Sequence, residues 1–351
     1  MRTLRLAAAT AAVLMAGCQE GGTTSGGPAA GNAAPGTGTS TAAAGKPQIG
    51  VAIYKFDDTF MSYVRRTIEE SAKGKAELNV VDSQNQQPTQ NDQVDQLLVQ
   101  GYKALAINPV DRTAVSVIID KAKAKNVPVV FFNREPTKED MGKWDKIYYV
   151  GAKAEQSGTM QGQILVDYWK AHPEADRNKD GKVQYVMLTG EPGHQDALLR
   201  TEYSIKAITE AGLQVEKLAE DTAMWERVRG QEKMAAFLAA HGDKIEAVLA
   251  NNDDMALGAI EALKAAGYFA GSKFLPVVGV DATPPALDAV AQGTLLGTVL
   301  NDAKNQGKAT FELVHALAAG TEVKSTVAPL DGRSVWVPYQ KVTKENYQQF
   351  K

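Results

Sequence analysis

The sequence predicts an α/β protein of two doubly wound, Rossmann-like parallel-sheet domains, and three observations point there. Short apolar runs of strand length alternate with amphipathic stretches of helical period from Pro47 almost to the end of the chain. The alternation runs for about 305 residues, more than one domain of ordinary size holds. Nearly every apolar run gives way to a carboxylate, an amide or an arginine. That is the side on which open parallel sheets bind small molecules.

The elements follow in chain order. Arg2 and Arg5 precede an apolar run from Leu6 to Met15, then Ala16-Gly17-Cys18. A basic start, a short apolar stretch and small residues before a cut describe a secretory leader, too short to span a bilayer as a helix. Cys18 is the one cysteine of 351 residues. With no disulfide partner, and placed where a lipoprotein peptidase would cut, it is the expected lipidation site; Leu14-Met-Ala-Gly-Cys18 resembles a bacterial lipobox. Residues 18–46 are almost all Gly, Ala, Thr, Ser and Pro. Such a segment buries too little to offset its ordering entropy, so a flexible tether reaching about 30 Å is expected.

Buried strands are expected at Ile49–Tyr54, Leu78–Val81, Ala104–Ile107, Val127–Phe132, Tyr148–Val150, Val183–Leu188, Ala247–Ala250, Pro276–Val280 and Gly297–Leu300. Helical patterns such as Phe60–Lys73, Asn91–Gln100 and Thr113–Lys125 lie between them. The strand ends carry Asp57-Asp58-Thr59-Phe60, Asn108, Asn133-Arg134-Glu135, Glu191–Asp196, Asn251–Asp254, Asp281 and Asn301-Asp302. Some of these suit helix N-caps. The wealth of planar polar groups and the scarcity of Ser and Thr suit a site that binds hydroxyls. Neither a G-x-x-x-x-G-K-[ST] loop nor a strand-led G-x-G-x-x-G occurs, so no phosphate cradle is expected. A net charge of −3 without a basic stripe argues against nucleic acid.

One segment stands apart. Asp176-Arg-Asn-Lys-Asp-Gly-Lys-Val-Gln184 reads as the first nine positions of a calcium loop. Oxygen side chains fall at positions 1, 3, 5 and 9, the Lys182 carbonyl is at position 7, and Gly181 sits at the sharp turn. Position 12, where a bidentate glutamate belongs, is Met187. Alone, the loop is either a polar Asx turn that binds nothing or a site completed from elsewhere in the chain.

Ile49-Gly-Val-Ala-Ile-Tyr-Lys-Phe-Asp-Asp-Thr-Phe-Met-Ser62 closely resembles the periplasmic D-galactose/D-glucose-binding proteins, a family of the type I periplasmic binding proteins. The likeness recurs, in order, at Ala104–Asn108, Val129–Asn133, Gly190–Ala197, Asp221–Trp225, Ala250–Asp253, Gly279–Asp281 and Gly297–Asp302. It implies two lobes joined by a three-strand hinge: residues 47–127 plus 302–335, and 128–301 plus 336–351 with the calcium site. Hinge strands are expected near Val127, Asn301 and Val335. It further implies a pyranose stacked between Phe60 and Trp225. Asp58, Asn108, His194, Asp196, Arg200, Asn252, Asp281 and Asn301 would ring its hydroxyls. Glu246 would supply the missing calcium ligand beside Asp176, Asn178, Asp180, the Lys182 carbonyl and Gln184. The Ca²⁺ would be structural.

The expected function is therefore a lipid-anchored, extracytoplasmic, monomeric receptor. It would carry D-galactose or D-glucose to the permease of an ABC transporter, and a chemoreceptor is a further expected partner. The alternative is a sugar hydrolase using Asp58 and Asp281 as paired carboxylates. No nucleophile–His–acid set stands out among the four histidines, so no enzymatic activity is expected. A sugar-responsive transcription factor of the same fold would need a DNA-binding module where the lipid signal stands.

Overall fold

The computed structural model describes residues 45–351. The expected leader, the lipidation site Cys18 and the tether up to residue 44 lie outside the described residues.

The first sheet takes its strands from β1 (Gln48–Ile53) onward. There follow α1 (Thr59–Ala72), β2 (Glu77–Asp82), α2 (Gln87–Val99), β3 (Ala104–Ile107), α3 (Ser116–Ala124), β4 (Val129–Phe132), α4 (Lys138–Gly142) and β5 (Ile147–Gly151). The chain then crosses to a second sheet through α5 (Ala154–Ala171), β6 (Lys182–Thr189), α6 (Gln195–Glu210), β7 (Gln214–Thr222), α7 (Arg227–His241), β8 (Ala247–Ala250), α8 (Asp253–Ala265), β9 (Val277–Val278), α9 (Pro284–Gln292) and β10 (Gly297–Leu300). Helix α10 (Ala303–Ala319) returns to the first sheet, packing on α1. The hairpin β11 (Leu330–Asp331) and β12 (Ser334–Trp336) extends that sheet, and β13 (Gln340–Thr343) closes the second.

Strand order is β11-β12-β5-β4-β3-β1-β2 in one sheet and β13-β10-β9-β8-β6-β7 in the other. All pairs are parallel except β11/β12 and β10/β13. Each sheet is covered by helices on both faces, and its central strands are buried throughout. That is why they read as unbroken apolar runs. The edge strands differ: β2 and β7 have their side chains half-buried or exposed, so the run Leu78–Val81, expected to be a buried strand, lies at an edge instead, and β7 goes further. Its polar sequence carries no apolar run, so no strand is expected there.

The expected lobe boundary at Val127 is corrected. Strand β4 pairs with β3 and β5 with β4, both in the first sheet, so the first crossing lies at residues 152–153. The second crossing is at 301–302. The third is at 337–339, just beyond Val335. The first and third run side by side, with Val337 N–H donating to the Gly151 carbonyl at 2.7 Å. Among the described residues, no helix is long and apolar enough to cross a membrane.

Two features of the second lobe aim its site residues. Gly158 and Gly162 let α5 lie directly against α6: a Cβ on Gly158 would meet the Arg200 carbonyl at 2.9 Å, and one on Gly162 would collide with that of Ser204. Buried Gln161 donates to the carbonyls of Ala250 and Val278, at 2.7 and 3.0 Å, tying together the ends of β8 and β9.

Candidate functional site

The carboxyl ends of both sheets face one another across a chamber with about 370 Å³ of space free of protein atoms, open solvent at its mouth included. Nine of the ten residues expected to bind ligand line it: Asp58, Phe60, His194, Asp196, Arg200, Trp225, Asn252, Asp281 and Asn301. The lobes are closed on each other. Lys55 pairs with Glu226 at 3.0 Å and Arg134 with Glu191 at 2.8 Å. Gln195 donates to Glu135 at 3.1 Å, and Thr59 to Asp254.

Asn108 is the exception. It is fully buried, and its amide is spent on the protein. Its Oδ1 accepts from Tyr54 N–H at 3.3 Å, and its Nδ2 donates to the Phe132 carbonyl and to Asn133 Oδ1, each at 3.2 Å. Asn108 stands behind the lining and props up Asn133. Four lining residues escape the sequence expectation: Tyr54, Met61, Asn133 and Arg134. Asn133 and Arg134 carry the signal that marks the others, a polar group just past a buried strand. Tyr54 carries none, since it belongs to an apolar run, and Met61 none, since it reads as a core position of the helical pattern Phe60–Lys73.

Helix starts build much of the ring. Asp58 caps α1 by accepting from Met61 N–H at 2.7 Å, His194 caps α6, and Asn252 caps α8 by accepting from Met255 N–H at 3.0 Å. The capping reading and the site reading hold for the same residues. His194 accepts from Asp196 N–H through Nδ1 at 3.1 Å, which assigns the ring proton to Nε2. Burial, with Arg134, Arg200 and Arg112 adding to it, holds its pKa well below the usual histidine value. The ring is therefore a neutral donor.

Arg200 is the charged centre. It donates to Asp196 at 3.0 Å and to the Asn251 carbonyl at 2.8 Å, and it stands 4.0 Å from Asp281. Burial pushes both acids up, while the guanidinium pulls them back. Asp58, buried yet bonded to Met61 N–H and to Tyr54 Oη at 2.6 Å, is also raised. Arg200 Nε and Trp225 Nε1 are buried donors without a hydrogen-bond partner. Such groups are costly unless something in the site accepts from them.

Strained backbone gathers at the same place. Asn133, Met224, Trp225, Asp281 and Ala282 all have positive φ, from 54° to 130°. These conformations cost about 1–3 kcal/mol each and persist only where surroundings enforce them. For the Asp281–Ala282 turn the enforcement is visible. Buried Asp253 accepts from Thr283 N–H at 2.8 Å and from Thr298 Oγ1 at 2.6 Å. Thr298 in turn accepts from Ala282 N–H at 3.3 Å. Burial outweighs these bonds and pushes the Asp253 carboxyl up to about 6.

The loop at 176–184 lies on the second lobe, away from the chamber. Gly181 turns at φ 78°, and Asp176 accepts from Gly181 N–H at 2.9 Å. Glu246 reaches it from the start of β8. Its two oxygens accept from Arg177 N–H at 2.7 Å and Gln184 N–H at 3.2 Å, so it brackets the loop at both ends. Among the described residues no group of three or more Asp, Glu, His or Cys gathers as a metal site. The loop's oxygen set is instead half amide and carbonyl. Gln184 Oε1 is buried there with no hydrogen-bond partner. A left-over acceptor in a set of carboxylate, amide and carbonyl oxygens fits a hard cation.

Known proteins share this architecture. A family model for the periplasmic binding protein domain matches residues 49–322. The chain is 48% identical over 307 residues to the D-galactose/methyl-galactoside binding periplasmic protein of Haemophilus influenzae, covering 86% of this chain and 91% of that protein. It is 31% identical over 284 residues to the ribose import binding protein of Bacillus subtilis, covering 80% and 85%. Among solved structures, an ABC transporter solute binding protein from Bacillus halodurans with bound myo-inositol superposes with a TM-score of 0.75 at 31% identity, covering 88% of this chain and 99% of that one.

Proposed function

Since the chain belongs to the periplasmic binding protein domain family, we propose that it captures D-galactose or D-glucose in its interlobe chamber and delivers it to an ABC-type sugar permease. The observation that carries this reading is the make-up of the chamber. An aromatic ring from each lobe, Phe60 and Trp225, borders a space otherwise ringed by Asp58, His194, Asp196, Arg200, Asn252, Asp281 and Asn301. A pyranose has apolar C–H faces that pack on rings, and equatorial hydroxyls that both donate and accept. The galactoside-binding relative, alike over nearly the whole body, supports the hexose over other polyols. The relatives are solute-binding proteins, and this chain is a binder rather than an enzyme.

Capture follows from the hinge. Sugar touching both lobes favours the closed form, in which Lys55–Glu226 and Arg134–Glu191 meet. The permease would read that closed face. Lipidation at Cys18 would hold the receptor outside the cytoplasmic membrane. Titration calorimetry with galactose, glucose, ribose and xylose tests the reading. Saturable heat is expected for galactose or glucose, with the pentoses weaker. No heat with either hexose at near-millimolar concentration sinks it.

The 176–184 loop would hold a structural Ca²⁺ through Asp176, Asn178, Asp180, the Lys182 carbonyl, Gln184 and Glu246. Bound there, the cation would offset the charge of Asp176, Asp180 and Glu246 and pin the loop to β8. At a hundredfold excess over Kd such a ligand stabilises by about 2.7 kcal/mol. Calcium is expected to raise the melting temperature of the wild type and to leave Glu246→Ala nearly unmoved. An equal rise in both proteins would remove the assignment.

A further inference from the structure

Three successive residues at the start of α8 point three ways. Asn252 caps the helix and lines the chamber, and Asp254 accepts from Thr59 of the other lobe. Asp253, between them, is fully buried and does not line the chamber. It grips the segment that carries Asp281 instead. Its N–H donates to the Val280 carbonyl at 2.8 Å. Its Oδ2 accepts from Thr283 N–H at 2.8 Å and from Thr283 Oγ1 at 3.3 Å. Its Oδ1 accepts from Thr298 Oγ1 at 2.6 Å, and Thr298 extends the grip by accepting from Ala282 N–H. Gly279 makes room for the carboxylate, since a Cβ there would collide with Oδ1.

The turn has little to hold it locally. Thr283 stands at the N-cap of α9 but makes no capping bond, and the first two helix residues, Pro284 and Pro285, have no N–H to cap. Asp281 and Ala282 keep φ values of 130° and 55°, which neither residue type favours. What the turn presents is the Asp281 carboxylate, a wall of the chamber. Its Oδ1 accepts from Asn301 Nδ2 at 3.2 Å and stands 4.0 Å from Arg200 Nη1. Among the described residues Oδ2 has no partner, so it is the oxygen left for a sugar hydroxyl.

We propose that Asp253 and Thr298 are positioning residues for hexose binding: through the Asp281–Ala282 turn they aim the Asp281 carboxylate, and so set the affinity without touching the sugar. The inference rests on the hexose reading above. A carboxylate suits the first position because it only accepts, and so meets one N–H and two hydroxyls with no donor of its own to place. A hydroxyl suits the second because it donates to Asp253 and accepts from Ala282 at once. Valine has nearly the same shape and does neither.

Calorimetry with galactose and glucose at about pH 8, where a carboxyl pushed up to about 6 is ionised, tests this. Thr298→Val is expected to weaken the tighter-binding hexose about tenfold. Thr298→Ser keeps the hydroxyl and should stay within about twofold of the wild type. Should Thr298→Val not fold, Asp253→Asn takes its place and should fall as far, because its amide sets a donor against Thr283 N–H or Thr298. Leu263→Ala, in the core toward the far end of α8, is the control. By urea unfolding it should lose at least as much stability, yet its affinity should stay within about twofold of the wild type. Wild-type affinity in Thr298→Val overturns the inference, and so does a Thr298→Ser loss as large as that of Thr298→Val. A Leu263→Ala loss matching theirs overturns it too, because lobe stability alone would then set the affinity. Each of these outcomes leaves the hexose reading intact. No heat with either hexose in the wild type overturns both.

Discussion

Replacing Arg200 with Met is expected to destabilise the protein by about 3–5 kcal/mol and to abolish hexose binding, the first cost being that of leaving buried carboxylates without their cation. The side chain is only 4% exposed, and its partners are little more so: Asp281 is 5% and Asp196 15% exposed. Both acids already sit above the usual carboxylate range through burial, with Arg200 the chief restraint. Without it they must protonate or admit water, and either change alters the hydroxyl-binding ring. Arg200 also ties α6 to the end of β8 through the Asn251 carbonyl, so the loss spreads to the second lobe. Arg200→Lys separates charge from geometry. A point charge should restore much of the stability, while the lost fork keeps affinity low. Urea unfolding gives the stability and calorimetry the affinity. If Arg200→Met unfolds within about 1 kcal/mol of the wild type and still binds galactose, the charged-centre role of Arg200 is wrong.

Gly190→Ala is expected to weaken hexose binding by about ten- to a hundredfold, or roughly 1.4–2.8 kcal/mol, with a smaller loss of stability. Gly190 directly follows β6 and lies against Trp225, and a Cβ there would collide with the indole ring at 2.1 Å. The ring cannot absorb the clash by a small rotation, because Met224 and Trp225 both occupy the left-handed backbone region and the Trp225 carbonyl is held by Asn252 Nδ2 at 3.1 Å. Overpacking of this kind usually costs 1–3 kcal/mol as neighbours shift, roughly independent of ligand. The displaced indole then loses its face on the sugar. Tryptophan fluorescence of the free protein should change as well as the affinity. Unchanged emission together with unchanged affinity would mean that Trp225 is not positioned by the bare backbone at Gly190.

Much of the site is legible along the chain because the rule that builds it is local. A buried strand followed by a carboxylate or amide marks Asp58, Asn252, Asp281 and Asn301, and it marks Asn133 and Arg134 equally. The same rule misleads at Asn108. Whether a strand-end amide faces the chamber or turns back to bond Tyr54 and Phe132 depends on neighbours 54 and 24 residues away. The local pattern marks Asp253 only as one of the strand-end group Asn251–Asp254, and its place as a buried acid beneath the Asp281 turn leaves no trace there.

The sequence by itself determined the succession of strands and helices, the two-sheet α/β class, the ring of planar polar groups and the loop at Asp176–Gln184. Each follows from periodicity or from residue chemistry within a few positions. Only the tertiary structure decided which sheet each buried strand joins. The runs at 129–132 and 147–151 are apolar on both faces and would suit either sheet, so the hinge crossing at 152–153 could not be read from them. Tertiary structure also brought Glu246 onto a loop more than sixty residues earlier, and set Asp253 against Thr283 and Thr298. These are contacts between segments distant in sequence, made when the sheets pack, and a local pattern carries no record of them.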